Sequence, residues 1–283
     1  HEIMKLKENI YRIYAYGVHE DLFIGTDAAL LWDTGCGEGG IRKCVDELIG
    51  NKKLIVVNSH GHPDHAFGNF EFTDCDTYIH EEDIRVLKEQ YDTEELRKWT
   101  YENMLDQKCS YALQEYIAKY KTSTFKCMKE KDVFELGGIS LKVVHLPGHT
   151  KGSCGMLYQE EGWFYSGDCI SPWQFLPEST GLLKWYDSLK KLRNLPFDRM
   201  YASHMREPQE ISYHGEKREI EKYIRGVETA WNRGYQNGFD YPNPVFPEEK
   251  VKAFMLEDYG EKDMMRANTV CAIVTEEKFD ARK

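Results

Sequence analysis

The stretch Asn58-Ser59-His60-Gly61-His62-Pro63-Asp64-His65 directly follows the apolar run Leu54-Ile55-Val56-Val57. The length and the β-branched residues of that run are typical of a buried β-strand, so the polar side chains gather where a strand ends. The stretch holds three histidines and one aspartate within six residues. Imidazole and carboxylate groups are ligands of zinc and its first-row neighbours, which predicts a metal site. A solvated polar turn would explain a single histidine, but it does not explain a cluster of this density.

The composition is that of a folded globular protein and argues against polyanionic partners. The chain has 283 residues, of which 41% are hydrophobic and 30% charged, and its formal net charge is −11. With this charge and no basic stripe, nucleic acid and anionic membrane surfaces would be repelled, so neither partner is expected. The eight cysteines form no C-x-x-C pair, and no apolar run resembles a leader peptide or could span a bilayer. We expect a cytoplasmic protein, and the sequence does not indicate its oligomeric state.

The same order of elements occurs twice along the chain. Each half is predicted to contain a β meander, an aspartate at a strand end, a helix, a short strand and a histidine. The aspartate and the histidine are Asp33 and His60 in the first half, and Asp168 and His204 in the second. Two such halves facing each other predict an α/β (α+β) fold, a four-layered αββα sandwich with both sets of strand ends at one edge.

Two segments are expected to be additions to this sandwich. Residues 81–131 are rich in Glu, Lys and Tyr, with apolar residues at helical spacing, which predicts a helical insertion. We therefore expect a core at residues 1–208 that includes this insertion. Residues 209–283 are expected to form a C-terminal extension of helix and strands packed on the same domain. Thr180 is predicted to cap the helix that begins near Leu182.

Four separate motifs resemble the ordered motif series of the metallo-β-lactamase superfamily. They are His60-x-His62-x-Asp64-His65, Leu146-Pro147-Gly148-His149-Thr150, Ser166-Gly167-Asp168 and Ala202-Ser203-His204, and the resemblance covers about residues 10 to 206. It implies a metallo-hydrolase with two metal ions. By this resemblance the ligands are His60, His62 and His149 for the first ion, Asp64, His65 and His204 for the second, and Asp168 as the bridge. An aspartate at the bridging position is similar to the glyoxalase II and lactonase relatives, whereas many true β-lactamases have cysteine there.

The spacing of the first motif is itself compatible with two adjacent ions. In an extended segment residues i and i+2 point the same way, so His60 and His62 can share one ion. Pro63 helps to turn the chain, so that Asp64 and His65 can face a second ion. We expect two divalent ions, zinc or alternatively iron or manganese, that share a hydroxide able to attack the carbonyl carbon of an ester, thioester, lactone or amide. Asp64 is the candidate catalytic residue that orients this hydroxide and passes on its proton.

Residues outside the ligand set are assigned from their positions. Asp33 is expected to support a ligand or to stabilise a turn, because no histidine lies near it in the sequence. Trp173 and Phe175 are candidates for an apolar substrate pocket, with a place in the core as an equal alternative. Lys151 and Arg206 lie two residues from ligands and could bind a substrate carboxylate, and ordinary surface charge is the alternative. Two further residues are expected away from the chemistry, a buried thiol at Cys169 and a surface histidine at His19.

Three other functions remain open at this stage. A small phosphodiester hydrolase would use the same two-metal chemistry. A di-iron redox protein of the same superfamily usually has glutamate in place of His62 and a flavodoxin-like domain, for which the segment after Arg206 is too short. A non-catalytic metal-binding protein would have no use for open ligand positions. The substrate is expected to be a small molecule that the sequence does not identify.

Overall fold

A computed structural model of the chain describes residues 1–88, 92–105, 108–119, 123–171, 173–176, 181–204, 218–241, 250–255 and 271–279. Thr180 and Arg206, for which roles are predicted, lie outside these ranges. The chain divides into two units, residues His1–Val143 and Val144–Lys283, which are described separately. None of the helices within the described ranges combines the length and the apolar character needed to cross a bilayer.

The first unit is built on one sheet of seven strands. They are β1 (Glu2–Lys7), β2 (Ile10–Ala15), β3 (Val18–Ile24), β4 (Ala28–Trp32), β5 (Lys53–Val57), β6 (Asp76–His80) and β7 (Lys126–Met128). They lie side by side in chain order, antiparallel from β1 to β4 and parallel from β4 to β7. The predicted meander and the predicted buried strand before the histidine motif are both confirmed.

Short helices connect the parallel strands of this sheet. They are α1 (Ile41–Ile49), α2 (Pro63–Ala66), α3 (Glu81–Val86), α4 (Glu94–Thr100) and α5 (Leu113–Ile117). In α1 the side chains of Ile41, Val45 and Ile49 are buried, because a spacing of four residues places them on the face that packs against the sheet. The helix ends at Gly50, whose φ of 62° is readily adopted only without a side chain.

The segment predicted as a helical insertion contains α3, α4 and α5, and it also contributes the strand β7, which the sequence did not indicate. One of its contacts with the rest of the unit is made by the buried residue Arg97. The Arg97 Nε atom lies 2.7 Å from Oδ1 of Asp92, and the guanidinium carbon lies 4.4 Å from the ring centroid of Phe67. Phe67 begins the short 3₁₀ helix that directly follows α2. The insertion therefore packs against the segment that comes after the histidine motif.

The remaining strands form two further sheets within the described ranges. The strands are β8 (Val133–Glu135), β9 (Ser140–His145), β10 (Cys154–Tyr158), β11 (Trp163–Gly167), β12 (Trp173–Phe175), β13 (Arg199–Ala202), β14 (Phe239–Tyr241), β15 (Val251–Met255) and β16 (Cys271–Val274). One sheet has the order β13-β11-β10-β9-β8, and the other has the order β12-β16-β15-β14. The sequence predicts the strands of the first of these sheets as well as β15 and β16, but it does not predict β12 or β14.

Three helices complete the second unit, α6 (Leu182–Arg193), α7 (Arg218–Arg233) and α8 (Glu276–Phe279). The predicted apolar face of α6 is confirmed, since Leu182, Trp185 and Leu189 are buried in the main core cluster of this unit. Gly181, with a φ of 88°, precedes α6 as its N-cap residue, and Thr180, the predicted cap, lies outside the described residues. The combination of three sheets with helices confirms the predicted α/β class.

Candidate metal centre

The histidine motif forms a tight loop between β5 and α2. His62 is extended, with φ −70° and ψ 156°, and Pro63 is the first residue of the helix, where its fixed φ is favourable and its missing N–H is not needed. The His62 carbonyl oxygen accepts hydrogen bonds from the backbone N–H of His65 and Ala66, at 3.1 and 3.0 Å. The chain therefore reverses at the predicted place, and Asp64 and His65 follow within one helical turn.

Asp33, at the end of β4, is a buried residue that forms hydrogen bonds to this loop. Its side chain is fully buried, and its φ of 66° lies in the left-handed region that aspartate tolerates better than most residues. Its carboxylate accepts hydrogen bonds from the backbone N–H of Ser59 (2.7 Å), from Oγ of Ser59 (2.8 Å) and from Nδ1 of His65 (2.8 Å). These contacts agree with the supporting role predicted for Asp33.

The hydrogen bonds of Asp33 also determine which ring nitrogens carry protons. A carboxylate has no proton to give, so Nδ1 of His65 carries a proton, and Nε2 is the nitrogen left for a metal ion. The hydroxyl of Ser59 gives its single proton to Asp33, so the same oxygen accepts from Nδ1 of His60 at 2.9 Å. Both His60 and His65 are therefore oriented as metal ligands through Nε2.

Two pairs of donor atoms result in the first unit. Nε2 of His60 lies 3.0 Å from Nδ1 of His62, close to the separation of about 3.3 Å expected for two imidazoles on one tetrahedral zinc ion. Oδ2 of Asp64 lies 3.7 Å from Nε2 of His65. His60 and His65 are buried, and the Asp64 side chain is 17% exposed, so this carboxylate remains accessible to water.

A buried amide network fixes the backbone of the same loop. Asn58 donates through Nδ2 to the His65 carbonyl oxygen at 3.0 Å, and the side chains of Asn58 and Asn69 are joined at 2.7 Å. Thr34 Oγ1 donates to Oδ1 of Asn69 at 2.9 Å. A Cβ atom on the neighbouring Gly68 would overlap the Thr34 carbonyl oxygen, so the backbones pack here without room for a side chain. The sequence did not indicate Asn69 or Gly68, because no motif includes them.

The second unit brings three predicted ligands together. Asp168 directly follows β11, and His204 follows the parallel neighbouring strand β13, so the two strand ends lie at the same sheet edge. Oδ2 of Asp168 lies 3.4 Å from Nε2 of His149 and 3.3 Å from Nε2 of His204. A single carboxylate oxygen is therefore flanked by two imidazole nitrogens.

His149 is oriented by a backbone carbonyl group. Its Nδ1 lies 2.9 Å from the carbonyl oxygen of Phe175 in β12. Since a carbonyl oxygen only accepts hydrogen bonds, Nδ1 carries a proton, and Nε2, which faces Asp168, is the nitrogen left for a metal ion. Trp185 of α6 packs against Gly148 and donates through Nε1 to the carbonyl oxygen of Cys169 at 2.8 Å. One tryptophan thus supports both loops that carry ligands.

The donor sets of both units fit a divalent metal ion of the zinc type. The three buried imidazoles of His60, His65 and His149 are each hydrogen-bonded through Nδ1, which leaves Nε2 for a metal ion, and carboxylate oxygens lie beside them. Nitrogen and oxygen donors of this kind bind zinc, iron or manganese. The Cys169 thiol is buried and donates to the carbonyl oxygen of Leu146 at 3.7 Å, which confirms the buried thiol expected there.

The other residues considered from the sequence take different positions. The Phe175 side chain is partly buried and packs against the hydrophobic cluster of the C-terminal sheet to which Ile273 belongs. Lys151 is exposed. The Trp173 side chain, like Arg206, lies outside the described part of the chain. His19, expected at the surface, is instead fully buried, with its ring centroid 4.9 Å from that of Tyr14, because both faces of β3 are covered.

Comparison with known proteins gives a family match over most of the chain. Residues 21–204 match the model of the metallo-beta-lactamase superfamily. All seven residues predicted as metal ligands lie within the matched range.

Two curated relatives show how far the similarity extends. Hydroxyacylglutathione hydrolase GloC of Haemophilus influenzae is 26% identical over 149 residues, which are 51% of this chain and 61% of that protein. An uncharacterised protein of Mycobacterium tuberculosis is 28% identical over 141 residues, 46% of this chain and 54% of that protein. The matched regions thus span between 54% and 61% of the length of these relatives.

Solved structures resemble the chain in fold. A metallo-beta-lactamase family protein from Thermus thermophilus aligns with a TM-score of 0.57 at 21% identity, covering 80% of this chain and 81% of that one. The metallo-beta-lactamase GOB-18 from Elizabethkingia meningoseptica aligns with a TM-score of 0.58 at 20% identity, covering 82% of this chain and 92% of that one. At these identities the likeness concerns the fold alone, and it confirms the fold predicted from the sequence.

Proposed function

The chain belongs to the metallo-beta-lactamase superfamily, and from this premise we propose that it is a binuclear metal-dependent hydrolase of a small-molecule carbonyl substrate. The observation that carries the proposal is the arrangement of Asp168, whose Oδ2 lies within 3.4 Å of the ligand nitrogens of both His149 and His204. An oxygen placed between two imidazoles is suited to bridge two ions.

The proposed ligand set is the one that the resemblance of the four motifs implies. His60, His62 and His149 would hold the first ion, and Asp64, His65 and His204 the second, with Asp168 bridging. The paired nitrogens of His60 and His62 and the neighbouring donors of Asp64 and His65 support this division. Zinc is the expected metal, and iron or manganese suits the same donors.

The chemistry follows from the ligand types and from the protein groups around them. Divalent ions of this kind, when bound, acidify a coordinated water and polarise a substrate carbonyl group. Asp64, which is partly exposed beside His65, orients the attacking water and accepts its proton at a carboxylate oxygen. Asp33 and the Phe175 carbonyl keep their imidazoles in the tautomer that offers Nε2. No serine or cysteine nucleophile is required.

The substrate class is proposed as an ester, thioester, lactone or amide. The similarity to hydroxyacylglutathione hydrolase GloC supports a thioester first, because hydroxyacylglutathione is a thioester. The net charge of −11 disfavours nucleic acid as a substrate. Substrate contacts at Trp173, Phe175, Lys151 and Arg206, and a location in the cytoplasm, remain predictions.

A hydrolysis panel of ester, thioester, lactone and amide substrates, run with and without chelator, tests the proposal. We expect chelator-sensitive turnover, restored by adding back zinc. Asp64→Asn should lower kcat by about 10²-fold or more while the Tm of the chain stays near that of the wild type. Asp74→Asn, which changes an exposed carboxylate away from the cluster, is the control. Turnover that is insensitive to chelator, or an unchanged kcat in Asp64→Asn, would contradict the proposed chemistry.

A further inference from the structure

The strand β12 connects the predicted metal ligands to the C-terminal sheet. It has only three residues, Trp173–Phe175, and it lies at the edge of the sheet with β16 as its neighbour. A three-residue strand has little stability of its own. Its position is set by parallel pairing with β16, in which Gln174 lies opposite Ala272 and Phe175 opposite Ile273. The backbone N–H of Leu176 donates to the Ile273 carbonyl oxygen at 2.8 Å and extends this pairing.

Two hydrogen bonds lead from this strand to the ligand residues. The carbonyl oxygen of Phe175 accepts from Nδ1 of His149 at 2.9 Å. The fully buried side chain of Gln174 donates through Nε2 to the backbone carbonyl oxygen of Asp168 at 3.0 Å. One bond sets the tautomer and direction of an imidazole, and the other fixes the loop that carries the bridging carboxylate.

The C-terminal sheet holds β12 through side-chain packing as well. The Phe175 ring packs on a cluster in which Val251, Ala253 and Ile273 are at most 3% exposed. This cluster belongs to β15 and β16, within the extension for which the sequence indicated no chemistry. Displacing β16 would therefore move the carbonyl group that orients His149.

We propose that Gln174 is a positioning residue for Asp168, and that β16 acts through β12 to keep His149 in the tautomer and orientation of a metal ligand. The proposal rests on the metal site proposed above. It assigns the C-terminal extension a role in metal binding and not only in stability. Residues that support metal ligands typically change metal affinity by about 10- to 100-fold when they are replaced.

The test uses point variants of the full chain and two measurements. Gln174→Met keeps the length of the side chain and removes its donor, and Ile273→Ala loosens the packing beneath Phe175. Ile273 lies directly opposite Phe175 in the strand pairing. Val251→Ala is the matched control, since Val251 belongs to the same cluster but lies in β15, which pairs with β14 and β16 and not with β12. Zinc affinity is measured by competition with a chromophoric chelator. The His149 tautomer is read from long-range ¹H–¹⁵N correlation spectra of the metal-free protein, and Tm is recorded for each variant.

We expect zinc affinity to fall by about 10-fold or more in Gln174→Met and Ile273→Ala, and by less than about 3-fold in Val251→Ala at a comparable loss of Tm. In the metal-free wild type, Nδ1 of His149 should carry the proton that is held in the hydrogen bond to the Phe175 carbonyl oxygen, and the signal of this N–H should weaken or exchange faster in Ile273→Ala. Equal zinc affinity and an equal His149 spectrum in Ile273→Ala and Val251→Ala would overturn the proposal, even if Gln174→Met fails to fold. Absence of zinc binding in the wild type would refute the proposed function, while the tautomer measurement would still decide the role of β12.

Discussion

Replacing Asp33 by asparagine should weaken metal binding although Asp33 is not assigned as a ligand. Asparagine is nearly identical in shape and tolerates the observed φ of 66°, so the backbone should not be strained. The substitution replaces one acceptor oxygen by an NH₂ group. If that group faces Nδ1 of His65, the imidazole must accept there and carry its proton on Nε2, the nitrogen assigned to the metal.

The expected decrease in metal affinity follows from the hydrogen bond that is lost between Asp33 and His65. A hydrogen bond to a charged group contributes about 1.5–3 kcal/mol, and Asp33 makes one to His65 and two to Ser59. Loss of the His65 bond in the metal-bound state corresponds to a decrease in affinity of about 10- to 100-fold. Because the group is buried, the unfolding free energy should also fall, by about 1.5–3 kcal/mol.

Chelator competition and thermal unfolding measure these two effects on the same samples. Asp83→Asn serves as the control, because Asp83 is a buried carboxylate that holds the same loop through the backbone N–H of Gly61 at 3.0 Å. If Asp33→Asn binds zinc within about 3-fold of the wild type, or no more weakly than Asp83→Asn, the tautomer argument is wrong.

Two further substitutions test the packing and the buried charge. Gly148→Ala would place its Cβ 2.7 Å from Cβ of Trp185, so overpacking should lower the unfolding free energy by about 1–3 kcal/mol, and an unchanged denaturant midpoint would contradict this contact. Burial raises the pKa of Glu38 from 4.5 to about 7. The folded chain therefore keeps this proton over a pH range in which the unfolded chain loses it, and the unfolding free energy should fall as the pH rises from about 4.5 to about 7. The contribution of Glu38 to this loss is at most about 3 kcal/mol, and Glu38→Gln should remove that contribution. An equal pH slope in wild type and Glu38→Gln would show that another group is responsible.

The sequence predicts well those features that depend on local pattern. The run Leu54 to Val57 is apolar throughout and rich in β-branched residues, a pattern that predicts a buried strand. The structure has the strand β5 there. The helix α1 follows from the spacing of Ile41, Val45 and Ile49 and from the glycine that ends it. The turn at Pro63 and the supporting role of Asp33 follow from the chemistry of those residues.

Features that depend on distant contacts were not predictable. The strand β12 forms by pairing with β16, about a hundred residues later in the chain. A segment of three residues is too short for its own sequence pattern to predict a strand. Gln174 has a role only because its amide reaches the Asp168 carbonyl oxygen. His19 looked exposed because a lone histidine is polar, but both faces of β3 are buried. Tertiary context decided each of these cases.

The number of zinc ions bound per chain tests the central claim most directly. The purified protein is dialysed against a buffered zinc solution, and metal and protein are then quantified together. We predict two zinc ions per chain for the wild type and fewer than two for Asp168→Ala, in which the proposed bridge is removed. A folded wild-type chain that retains no zinc, or an Asp168→Ala variant that retains two ions with unchanged affinity, would contradict the binuclear site.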